Sequence, residues 1–147
     1  LRNQELLIPP HGRFMLQGVH VLDQALRIHS LQIHMHQRGK ALTVEAQYPD
    51  GRREVLNRLI HDHRWLPTYA YEPDARPLLP KGTVLLITAE WDNSAHENNP
   101  DPNQWVAFSR RTVDEMGHVW VGTTWLDDET YEKLVAEREA RMVAQDH

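Results

Sequence analysis

Apolar residues in this chain come in short runs that alternate with polar ones, and turn-forming residues interrupt them often. Residues 19–22 and 26–35 read as extended, the second alternating through Ile28, Ser30 and Gln32, because strand side chains point to opposite faces with a period of two. Residues 41–48 alternate in the same way and end in Pro49-Asp50-Gly51, a strong turn signal, after which residues 53–59 return as the second arm of a hairpin. Residues 65–71 are rich in aromatic and β-branched side chains, and Pro80-Lys81-Gly82 predicts another turn. Residues 83–91 form a continuous apolar run of strand length, the mark of a core strand. From 92 to 103 Asn, Asp and Pro dominate, which predicts a long ordered loop or a binding loop. Residues 105–108 and 116–125 are the last expected strands. After Asp127 the period changes: Leu134, Val135, Arg138 and Met142 fall among good helix formers with acidic residues early, predicting a helix over 128–144. The pattern predicts an all-β sandwich over 1–126 and a helical extension over 127–147 that packs on a neighbour.

Composition narrows the function classes. The chain has 147 residues, enough for one domain with a real core. No apolar run approaches the roughly 18 to 20 residues of a membrane span. The chain starts at Leu1 without a basic segment followed by an apolar stretch, so it reads as an excised domain or processed fragment with no signal peptide. The net charge of -5 is spread without a basic stripe, which gives nucleic-acid binding little support. Cysteine is absent, excluding disulfides, zinc thiolate sites and thiol catalysis. Ten histidines and five tryptophans point either to imidazole chemistry or to a polar surface that happens to use histidine.

The segment Ile33-His34-Met35-His36 carries the chemistry. On a strand His34 and His36 project to the same face, close enough to share a metal, while Met35 faces the core. Two ordinary histidines would give the same pattern. Two imidazoles suit zinc, copper, iron or nickel, and the third ligand decides among them, because a thioether favours Cu(I). Met15, Met35, Met116 and Met142 are the thioethers. On spacing alone Met116, in the polar turn Thr112-Val113-Asp114-Glu115-Met116-Gly117, reads better as a core residue than as a ligand.

Other histidines offer weaker sites. His61-Asp62-His63 is a second alternating pair, or simply a polar turn before Trp65. His118 shares a strand face with Met116 and is a candidate further ligand or donor. His96 lies in the Asn-rich loop. Asp114 and Glu115 could accept hydrogen bonds that orient imidazoles, or cap a turn; Asp92 and Asn93 read as binding their own loop backbone.

His34-Met35-His36-Gln37-Arg38-Gly39 resembles the bacterial branch of the copper type II, ascorbate-dependent monooxygenases, and further blocks agree in order. They are Tyr48-Pro49-Asp50-Gly51, the aromatic segment 65–71, Leu79-Pro80-Lys81-Gly82-Thr83, Asp92-Asn93-Ser94-Ala95 with Asn99-Pro100-Asp101-Pro102, and Thr112-Val113-Asp114-Glu115-Met116. The resemblance covers residues 31–124. It implies the second, oxygen-activating domain of a pair of jelly-roll-like β-sandwiches, with one copper held by His34, His36 and Met116. It also implies O2 and a small organic substrate whose C–H bond is hydroxylated, ascorbate as reductant, and an upstream copper domain or redox partner. The expected location is periplasmic or secreted. Three positions depart from the peptide-amidating members. Gln32 replaces an Arg that binds the substrate carboxylate, Trp120 replaces a Tyr, and Gly117 replaces the Cys after the ligand Met, so a glycine-extended peptide is not the expected substrate. A copper-binding or electron-transfer module without hydroxylase activity is the alternative.

Overall fold

A computed structural model describes residues 5–145. The fold is an all-β sandwich with a C-terminal helix. One sheet has the order β2-β8-β4-β5, built from β2 (Arg13–Val21), β8 (Val84–Asp92), β4 (Gly39–Gln47) and β5 (Arg53–Ile60). The other has β3 (Ala25–Met35) between β10 (Gly117–Leu126) and β6 (Thr68–Ala70), with β7 (Leu78–Leu79) also pairing with β3. Every pairing between these strands is antiparallel, and β1 (Leu7–Ile8) with β9 (Val106–Ala107) makes a separate short ribbon. Period-two alternation supplies the core. Ile28, Leu31, Ile33 and Met35 of β3 and Val119 of β10 pack against Leu42, Val44 and Ala46 of β4 and Ile87, Ala89 and Trp91 of β8.

The inward positions of β3 run Leu26, Ile28, then Leu31, Ile33 and Met35. This slip of one residue coincides with the register shift opposite Gly122 and Thr123 of β10. It leaves Arg27 at one end of the outer face and Gln32 and His34 at the other. Gly51 and Gly82 close the two anticipated turns at positive φ, 89° and 84°, where a Cβ would be strained.

Several elements differ from the sequence reading. β2 begins at Arg13, because Met15, Val19 and Val21 stay exposed on an edge strand and blur the in/out contrast. Only Thr68–Ala70 of the aromatic segment is a strand, since residues 62 and 65 bridge a turn and Pro67 follows. The strand expected over 105–108 shrinks to Val106–Ala107.

Helix α1 (Asp128–Gln145) starts where the Asp127 carboxylate accepts the Thr130 N–H at 2.7 Å, an N-cap. Tyr131, Leu134 and Val135 pack on Ala25, Leu78 and Leu126, so the helix lies on its own sandwich at the Ala25 end of β3. Met35 at the other end is roughly 30 Å away at about 3.3 Å per residue. Among the described residues no helix is long and apolar enough to cross a membrane.

Truncation after Asp127 removes three half-buried apolar contacts and should cost about 2 to 3 kcal/mol by urea denaturation. It should leave the NMR signals of the His34 and His36 rings in place; a shift of those signals would show that α1 supports the histidine end of the sheet.

Candidate metal centre

The centre forms where β3 runs out and turns into β4. His34 is the last outward residue of β3 and His36 the first residue beyond it. Their rings lie side by side, with centroids 5.3 Å apart and planes at 87°. Across the sheet His118 of β10 stands opposite His34 in register, ring centroids 4.8 Å apart and tilted by 30°. Trp120 closes the group, 4.5 Å from His118 and 5.4 Å from His34. One outer face therefore gathers three imidazoles and a half-exposed indole.

The ladder ends at the pair Met35–Gly117. Met116 is the next residue on one side and His36 the next on the other. A buried carboxylate holds these ends together. Glu115 is fully buried and accepts four hydrogen bonds: from the backbone N–H of His36 (3.1 Å), Arg38 (2.6 Å) and Met116 (3.3 Å), and from Trp91 Nε1 (3.1 Å). Burial pushes its carboxyl up to about 7, although the three backbone N–H groups and the Arg38 charge pull the other way. The buried Arg38 guanidinium does not reach back to Glu115. It donates to Asn93 Oδ1 at 2.8 Å, the Val113 carbonyl at 2.7 Å and the Asp101 carbonyl at 3.3 Å, binding the Asn-rich loop and the segment before Met116 to the same turn. Gly117 lies flat on the Trp91 ring, where a β-carbon would overlap the indole.

Hydrogen bonds fix which imidazole nitrogens are available. His36 Nδ1 lies 3.1 Å from the Asp114 carbonyl. A carbonyl only accepts, so Nδ1 carries the proton in the neutral ring and Nε2 keeps its lone pair. An N–H bonded to a carbonyl is the usual partner of a metal-bound imidazole. His34 is held below its ordinary pKa, first by burial and then by the neighbouring His36 charge, which favours the neutral, ligating form. His61 Nε2 donates to the His36 carbonyl at 2.9 Å, and burial takes it down to about 4.

The structure brings His34, His36 and the Asp114-Glu115-Met116 segment together and adds His118. His61 meets them by a hydrogen bond to the His36 carbonyl. His96 stays in its own loop, lying 3.0 Å from the Asp92 carbonyl. Met35 is core, as its alternation requires, and Met142 lies on α1 at the far end. Asp114 orients an imidazole through its backbone carbonyl, whereas Glu115 binds backbone and indole N–H groups. Asp92 accepts the Ser94 N–H, as expected of a loop residue, but Asn93 reaches out to the Pro9 and Gln104 carbonyls. Among the described residues no three His, Asp or Glu side chains are placed together to hold a metal ion. Met116 follows Glu115 at the end of the same ladder, its backbone N–H donating to the Glu115 carboxylate at 3.3 Å. Sequence reasoning missed Arg38, for which no local pattern signals burial.

Replacing Glu115 should be costly. Glu115→Gln turns an amide N–H toward buried donors and should lose about 3 kcal/mol, with Glu115→Ala losing more, since each unsatisfied buried donor costs roughly 1 to 3 kcal/mol. Urea denaturation of the two variants checks this, and a loss below about 1 kcal/mol in Glu115→Ala would mean that the clamp is dispensable.

No protein-family model matches the chain and no curated protein matches it, so the arrangement of these side chains is the ground for assigning a function.

Proposed function

We propose that this domain holds one copper ion through His34, His36 and Met116 and serves an ascorbate-dependent monooxygenase-like protein that hydroxylates a small organic substrate. The observation that carries the reading is the double tie between His36 and the segment 114–116. The Asp114 carbonyl lies beside Nδ1 of His36 and the Glu115 carboxylate takes its backbone N–H, so the backbone leading into Met116 is held at the histidine turn by contacts that span 79 positions of sequence. Two imidazoles with one soft sulfur fit Cu(I) better than zinc or a hard ion. When bound, copper supplies one-electron redox chemistry and activates O2 for attack on a C–H bond.

The chain's own residues do the rest. The Asp114 carbonyl keeps the His36 proton on Nδ1. The Glu115 clamp keeps the turn and the Met116 segment in one geometry, so a ligand set drawn from two strands is organised before metal arrives. Trp120 beside the imidazoles offers an apolar wall to a substrate. Gln32 donates to the Leu66 carbonyl at 3.1 Å, so the position carries no cation for a substrate carboxylate. Hydroxylation needs two electrons and one copper ion stores one, so the reading includes an upstream copper domain or redox partner as the source of the second.

X-ray absorption of the Cu(I)-loaded protein should show one sulfur and two imidazole ligands, and Met116→Leu should remove the sulfur. Retention of sulfur in that variant, or failure to bind one equivalent of copper, would overturn the assignment. Met116→His should raise zinc affinity relative to Cu(I) at least tenfold or so in competition titrations, because a borderline donor replaces a soft one.

Oxygen uptake with ascorbate and catalase, followed by product analysis, separates an enzyme from a carrier. Hydroxylated product formed only with an added electron donor domain fits the monooxygenase reading; oxygen consumption without product under any donor would assign a copper or electron-transfer module instead.

A further inference from the structure

The two edges of the sandwich are finished differently. At one edge the Tyr71 hydroxyl, just beyond β6, donates to the Leu56 carbonyl of β5 at 2.9 Å and ties one sheet to the other. At the other edge lie β2 and β10, each paired on one side only. Between them the sandwich opens into a cleft of about 420 Å³. Its walls are Leu85 and Ile87 of β8 on one sheet and Val119 and Val121 of β10 on the other. Leu22 and Leu26, each 2% exposed, line it as well, so the cleft reaches into the core.

The strand register shows how this edge is left unfilled, because residues paired across a ladder share a sheet face. On β2 the inward row is Phe14, Leu16, Gly18 and His20, opposite Trp91, Ala89, Ile87 and Leu85. Phe14 and Leu16 pack on the core, but Gly18 has no side chain to offer and His20 stays exposed. On β10 Thr123 and Trp125 stand opposite the buried Ile28 and Leu26 and so face inward too. Trp125 is nevertheless 51% exposed, because it stands at the mouth of the cleft instead of inside a closed core. Apolar walls left open to water forgo the stabilisation that burial would give them. The polar members of the lining are the His20 imidazole and the Thr123 hydroxyl, each able to donate or accept a hydrogen bond.

We propose that this cleft binds a small amphiphile, a single aliphatic chain ending in a hydroxyl or carboxyl group, with the chain between the sheets and the head at His20 and Thr123. Shape and size select this occupant. Packed sheets stand about 10 Å apart and a helix with its side chains is as wide, so a gap within that layer admits one aliphatic chain and excludes a helix or strand of a partner protein. Apolar and aromatic walls with a few polar groups, enclosing roughly 300 to 1,000 Å³, are the usual make-up of a small-molecule site. At about 30 Å³ for each heavy atom, a water's share of liquid volume, the cleft holds roughly a dozen. The site is independent of the copper reading: Val119 and Val121 face between the sheets, whereas His118 and Trp120, which alternate with them, face the histidine side.

The test is a titration of the full chain, methyl-labelled at Ile, Leu and Val, with straight-chain alcohols from hexanol to decanol. Saturable shifts of the Leu85, Ile87, Val119 and Val121 methyl signals are expected, with affinity rising about fourfold for each added methylene as it leaves water. Val121→Phe fills the cleft and should weaken decanol binding tenfold or more. Thr123→Trp, nearer the mouth, is the second variant should the first fail to fold, which the backbone spectrum reports. His20→Ala should weaken decanol about fivefold, the loss typical of one hydrogen bond. Absence of saturable shifts at the four wall residues, or unchanged affinity in a folded cleft-filling variant, would overturn the proposal. So would a dimer in analytical ultracentrifugation that moves the same methyl signals and that decanol does not disperse, since the cleft would then be an interface between two copies of the chain.

Discussion

The histidine end of this molecule depends on one buried carboxylate. Four N–H groups converge on Glu115, three from backbone and one from Trp91, and they come from three separate stretches of chain. A buried carboxylate without donors would be too costly to keep. With them, it becomes the fixed point about which the β3–β4 turn, β8 and the start of β10 are assembled. Arg38 extends this arrangement outward, because its side chain reaches Asn93 and the Val113 and Asp101 carbonyls while its own N–H belongs to Glu115. The irregular loop over 92–103 therefore rests on the same hub as the regular strands.

What the sequence revealed follows from which forces are local. The alternation of β3, the glycine turns at 51 and 82 and the acidic start of α1 are written in neighbouring residues, and they could be read. The shared face of His34 and His36 follows from the same period of two. Arg38 and Glu115 could not be read in this way, because a charged residue in a turn and a glutamate before a methionine both suggest solvent. Their burial is decided by partners 24 to 79 positions away. β2 was half legible for a different reason: as an edge strand it leaves Met15, Val19 and Val21 in water, so its pattern lacks contrast.

The outer face of β3 has an unusual division. Imidazoles and an indole gather at one end, and arginines with a helix at the other. The register shift between Gly122 and Thr123 separates the two halves. Without that slip the side chains beyond it would swap faces, and Arg27 would point into the core.

Gly117 carries a consequence for sequence change over time. Its α-carbon lies against the indole of Trp91, and that indole donates to the Glu115 carboxylate. A chain that acquires a side chain at 117 must shrink the ring at 91, and the smaller residue no longer offers Glu115 its N–H. The two positions are thus linked through a third. Homologous chains should show them drifting as a pair, with the glutamate finding a new donor wherever the tryptophan is lost.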